Sequence, residues 1–105
     1  MSRRALIEAH VRLIAPRIPR HELGAVADHA LDSRGLRGAA PDRAAWLSLV
    51  AYIRHVMTEY DELLREGYDA DSARFFVRDA IDEILEGWGA TRRLPDEEEA
   101  SGEDA

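Results

Sequence analysis

The sequence predicts an all-α protein: a small bundle of about four helices built on an antiparallel C-terminal helical hairpin, followed by a disordered acidic tail. Three observations predict it. Apolar residues recur at spacings of three and four along most of the 105-residue chain, as in helices that bury one face. No stretch shows the β-branched alternation of a half-buried strand. Proline and glycine interrupt the pattern around residues 16–19, 34–41, 67 and 87–89, where helices stop.

The first helix runs from about Ser2, a candidate N-cap, to about Ile14, with Leu6, Ile7, His10, Val11, Leu13 and Ile14 on or near one face. Pro16 and Pro19 end it. A short connector leads to a second helix with Pro19 at its first position, where the missing N–H costs nothing. Leu23, Val26, Ala27, Ala30 and Leu31 form its stripe, and it ends near Ser33. Arg34-Gly35-Leu36-Arg37-Gly38-Ala39-Ala40-Pro41 suits a loop. Pro41 or Asp42 opens the longest element, which is expected to continue to about Glu66 and to close at Gly67. Its apolar face reads Trp46, Leu49, Val50, Ile53, Val56, Met57, Tyr60, Leu63 and Leu64. Asp69 or Asp71 can cap a last helix with a stripe of Ala73, Phe76, Val77, Ala80, Ile81, Ile84, Leu85 and Trp88, bracketed at its end by Gly87 and Gly89. The turn between these last two helices is short, so they are expected to lie antiparallel. The first helix reads as the weakest member, able to swing on its proline connector and pack on a second chain.

Charge divides the chain further. The formal charge is −7, with 14 basic residues, all arginine, against 21 acidic ones. Residues 1–43 carry +3, residues 44–95 carry −4, and residues 96–105 carry −6. That last stretch has no large apolar residue to offset its ordering entropy. The organisation read from this is an N-terminal helix and connector over 1–18, a helical domain over 19–94 and a disordered acidic tail over 95–105.

Composition excludes several chemistries. Cysteine is absent, which removes thiolate nucleophiles, disulfides and thiolate metal centres. Lysine is absent too, and with it Schiff-base catalysis and the P-loop lysine. The longest apolar runs fall far short of the ~20 residues of a membrane span. Charged residues come too early for a signal peptide. A cytoplasmic protein with no membrane association, no cofactor and no metal site is expected.

Two polar constellations remain. Arg34, Arg37 and Arg43 sit in a glycine-containing loop leading into a helix start, where an anion could bind. On the long helix, Arg54, Thr58 and Asp61 align at steps of four and three, and His55 lies one turn from Glu59. A carboxylate beside an imidazole can orient a general base, and a nearby arginine can hold an anion. The same pairs also suit an ordinary solvated helix face. His29 with Asp28 and Asp32 has ligand-type chemistry at helical spacing, and nothing more specific.

The run Ile53-Arg54-His55-Val56-Met57-Thr58-Glu59-Tyr60-Asp61-Glu62-Leu63-Leu64, followed by Gly67 and Ala73-Arg74, resembles a bacterial and fungal family catalogued as domain of unknown function 2293. The resemblance covers roughly residues 19–88. It implies a group of residues rather than a reaction: Arg54, His55, Thr58, Tyr60, Asp61 and Arg74 acting together. Tyr52 stands where some relatives carry a histidine, which weakens a two-histidine proposal.

The function read from the sequence is a non-catalytic protein-interaction or self-association module, its partner another protein or a second copy of itself. Nucleic-acid or phosphate-ligand binding through Arg34, Arg37 and Arg43 is the alternative. An enzyme of undetermined reaction centred on His55, with Asp61 or Glu59 as orienting carboxylate and Arg54 or Arg74 as anion clamp, is the third reading.

Overall fold

A computed structural model of the chain describes residues 1–95; the acidic tail expected at the C-terminus lies, from residue 96, outside the described residues. Five helices follow one another, with no strand among the described residues: α1 (Arg3–Ile14), α2 (Arg20–Asp32), α3 (Pro41–Met57), α4 (Tyr60–Arg65) and α5 (Ala70–Gly87). No helix among the described residues is long and apolar enough to cross a membrane.

Most boundaries have a local cause. The Ser2 hydroxyl accepts the Ala5 N–H at 3.1 Å and starts α1. Pro19 stands at the N-cap position of α2, so that helix starts at Arg20, one residue later than expected, and Pro41 occupies the first turn of α3. Between them the chain makes a short 3₁₀ turn, Arg34–Leu36. Arg3 reaches across from α1 to hold this loop, donating from Nη2 to the Leu36 and Ala39 carbonyls at 2.9 and 3.0 Å. Asp69 caps α5 by accepting the Ser72 N–H at 2.8 Å. That contact holds its carboxyl below the usual range. Gly67 (φ 105°) ends α4 and Gly89 (φ 89°) follows α5. Each sits in the left-handed position of a Schellman turn: Tyr68 N–H bonds the Leu63 carbonyl, and Ala90 N–H the Leu85 carbonyl.

The long helix expected to reach Glu66 is broken in two. It stops at Met57, and Thr58 is extended (φ −129°, ψ 173°). Thr58 holds the break with its hydroxyl, which donates to the Arg54 carbonyl and accepts the Tyr60 N–H at 3.2 Å. Its side chain thus replaces backbone partners that a continuous helix would supply.

α3 is the spine: every residue from Ala44 to Arg54 is buried. Ile7 and Val11 of α1, Leu23, Val26 and Ala30 of α2, Tyr60 of α4, and Val77, Ile81 and Leu85 of α5 join it in one core. The first helix, expected to be separable, is therefore part of its own chain's core, although Leu13 of the expected stripe is 76% exposed. Arg4 ties α1 to α2 through Asp28 at 2.7 Å. After α5 the chain folds back: the Arg17 N–H bonds the Trp88 carbonyl at 2.8 Å, and Ala90 and Leu94 are buried. Asp82 receives the Leu94 N–H at 3.1 Å, and Arg78 donates to the carbonyls of Leu94 and Pro95.

Candidate functional site

The break at Thr58 places the polar cluster. In a straight helix, residues six apart lie about 9 Å apart along the axis and on different sides. Because the chain turns at residues 58–59, Asp61 swings back to His55, and Oδ1 lies 2.7 Å from the imidazole Nδ1. The sequence left Asp61 or Glu59 as the orienting carboxylate of His55; the one at its Nδ1 is Asp61. Such a contact favours the tautomer with the proton on Nδ1 and leaves Nε2 as the basic nitrogen. The Tyr60 ring meets the His55 ring edge-on at 5.2 Å. On the buried side, the Arg54 guanidinium lies 5.6 Å from the Tyr60 ring centroid, within cation–π reach.

Arg54, His55, Thr58, Tyr60 and Asp61 thus meet at one corner. Arg74 comes from the second turn of α5 and is half-buried. Arg54 is wholly buried, so it braces the corner from inside rather than facing solvent as an anion clamp. The Thr58 hydroxyl is held by two backbone groups and is poorly placed to act as a nucleophile. Tyr52, one turn earlier, donates its phenol to Glu22 of α2 at 2.9 Å. Burial and this bond push the phenol's pKa up.

His29, on the last turn of α2, is a neighbour that its position in the sequence does not reveal. Burial lowers its pKa, the charge of nearby His55 lowers it further, and Asp32 opposes both. Its Nδ1 is buried without a hydrogen-bond partner. No group of three or more His, Asp or Glu residues among those described is placed to hold a metal ion.

Beside the corner, a cleft of about 470 Å³ opens between the end of α3 and α5, lined by Val56, Met57, Thr58, Glu59, Phe76, Val77 and Ala80. Its rim is apolar and exposed: Phe76 is 56% accessible, Val56 61% and Met57 40%. Tyr68 extends the surface, its ring 5.4 Å from that of Phe76, and the ring of Phe75, itself 76% exposed, lies 6.2 Å from that of Phe76.

The loop arginines part company. Arg34 and Arg37 are exposed, whereas Arg43 enters a second cleft of about 480 Å³ at the start of α3, with His10, Leu13, Ile14, Ala40, Asp42, Trp46 and Arg92.

A helical unit with a braced polar corner, no metal-ligand cluster among its described residues and an exposed apolar cleft belongs to the class of small helical-bundle domains. The chain itself is a member of the DUF2293 family, whose model, described as "Uncharacterized conserved protein (DUF2293)", matches residues 7–89. The match takes in most of α1 as well as the corner. No curated protein and no solved structure matches the chain.

Proposed function

We propose that the chain is a non-catalytic interaction module that docks a protein surface, a second copy of itself included, through the apolar face of Val56, Met57, Tyr68, Phe75 and Phe76. The observation that carries this reading is the continuity of the face, since adjacent exposed aromatics and a methionine around a cleft are typical of interaction sites. A buried Phe gains ~1.5–3 kcal/mol over an exposed one, so leaving two adjacent Phe in water calls for a partner. The corner supports the reading from the other side: Arg54 and Thr58 brace the end of α3, which carries Val56 and Met57.

Sedimentation velocity across concentration tests it, with Phe76→Asp as the variant and circular dichroism to verify the fold. Wild-type protein is expected to self-associate or to retain a protein partner, and the variant to do neither. A wild-type monomer at every concentration that also retains no protein from a cell extract refutes the proposal.

The clamp from Arg3 favours a second reading, in which the 34–43 loop binds nucleic acid or a phosphate ligand. A loop held at two carbonyls presents Arg34 and Arg37 without first having to be ordered. Counterion release then predicts affinity that falls with salt and rises when residues 95–105 are removed. A tail-less protein without salt-sensitive binding to DNA, RNA or nucleotides refutes this reading.

A further inference from the structure

The cleft at the start of α3 lies apart from both the corner and the apolar face, and its lining is unusual. The Arg92 guanidinium stands 3.9 Å from the Trp46 ring centroid. Arg92 is exposed, and its side chain makes no hydrogen bond or ion pair among the described residues. The indole fixes the side chain while leaving its N–H groups available, a state in which less entropy is lost on binding an oxyanion. Arg43 lines the same cleft from the first turns of α3, and half-buried His10 lines it from α1. The opposite wall is apolar, made by Leu13 and Ile14. Leu13 is 76% exposed, which a core position on α1 does not explain but a place at the mouth of a binding cleft does. Asp42 is the lone carboxylate of the lining, and it disfavours highly charged ligands. At about 480 Å³, the cleft is within the usual range for small-molecule sites.

We infer that this cleft binds a small organic acid. A single carboxylate or phosphate head lies between Arg43 and Arg92, and an apolar body lies along Leu13 and Ile14. Guanidinium groups match both kinds of oxyanion bidentately, so the shared chemistry is an oxyanion on an apolar body. The inference is independent of the docking face. It shares only Arg43 with the phosphate-loop reading, and Arg34 and Arg37 separate the two.

The test is an NMR titration of the full chain with 3-phenylpropionate, phenyl phosphate and inorganic phosphate, each to about 10 mM, a range that detects even millimolar affinity. Saturable shifts centred on His10, Leu13, Arg43, the Trp46 indole N–H and Arg92 are expected with at least one of the two phenyl probes. The two probes distinguish a carboxylate from a phosphate head. Arg43→Ala and Arg92→Ala are each expected to weaken binding about tenfold, the usual order for a lost charge-assisted contact. Because Arg92→Ala also uncovers Trp46, Leu13→Glu serves as a second variant: it adds a like charge at an exposed position and is expected to abolish binding with an unchanged Tm. The double variant Arg34→Ala, Arg37→Ala should bind as wild type. The inference is overturned by no saturable shift with either phenyl probe, by inorganic phosphate binding as tightly as phenyl phosphate, or by Leu13→Glu binding undiminished. Equal loss in the Arg34/Arg37 variant would transfer any binding to the loop and equally overturn it.

Discussion

Replacing Thr58 by Val removes one hydroxyl from the corner and leaves its shape and β-branching in place. The valine retains the preference for extended backbone at this position, so what changes is hydrogen bonding. Two partners are lost: the Arg54 carbonyl and the Tyr60 N–H, the latter at 3.2 Å. Each bond contributes ~0.5–1.5 kcal/mol net, and more if the orphaned group stays dry. Thr58 is half-buried, so water reaches part of the corner, and the two losses together come to ~2 kcal/mol. For a domain of this size that is a fall in Tm of ~10 °C. Urea denaturation and thermal melting measure the loss. Thr58→Ser is the control, because it retains the hydroxyl and should retain most of the stability. Imidazole ¹⁵N shifts of His55 report whether Asp61 still lies against Nδ1; in Thr58→Val that contact should weaken as the corner loosens. A loss below ~0.5 kcal/mol, with the His55 signal unchanged, would show that the break in the helix is set by something other than this hydroxyl.

Three further outcomes follow from the packing. Ile7 is fully buried, so Ile7→Ala should cost ~2–5 kcal/mol in denaturant unfolding; a neutral effect would mean that α1 does not hold the core together. Gly89→Ala should destabilise more than Gly67→Ala in the same assay. Both positions have positive φ, but a Cβ at residue 89 would lie 3.2 Å from the Pro16 Cδ whereas the space at residue 67 is open; equal losses would contradict this. Burial holds His29 below its ordinary pKa of 6.5, so the unfolded chain takes up the proton first as pH falls. Its contribution to stability is complete above about pH 6.5 and declines as pH drops from there towards the folded value. Tm between pH 7.5 and 5 should therefore fall less steeply in His29→Gln, and parallel curves for the two proteins would refute the assignment.

Much of the fold was legible from local signals. Ser2, Pro41, Gly67, Asp69 and Gly89 each mark a helix end by a mechanism that acts within a few residues, and each does so in the structure. The break at residue 58 was not legible, because Met57, Tyr60, Leu63 and Leu64 continue the apolar spacing straight through it. The bonds of the Thr58 side chain, which compete with the helix there, leave no mark in that spacing. Spacing alone could not choose Asp61 over Glu59 as the partner of His55 for the same reason: His55 and Asp61 share a side only after the chain turns. Periodicity placed Leu13 in the core because it lies near the stripe, yet Ile7 and Val11 alone are fully buried on α1. The stack of Arg92 on Trp46 depends on the return of the chain after α5, and no spacing within either segment signals it.

The seam between residues 15–18 and 86–90 bears on how the chain assembles. The Arg17 N–H finds its acceptor at Trp88, and the core that encloses Ile7 and Val11 also takes in Ala90 and Leu94. During synthesis, α1 leaves the ribosome ahead of the helices it packs against and cannot complete its packing until almost all of the helical unit has followed. α1 must wait in partly unburied form, so folding of this unit is expected to be a late, concerted event rather than a stepwise one.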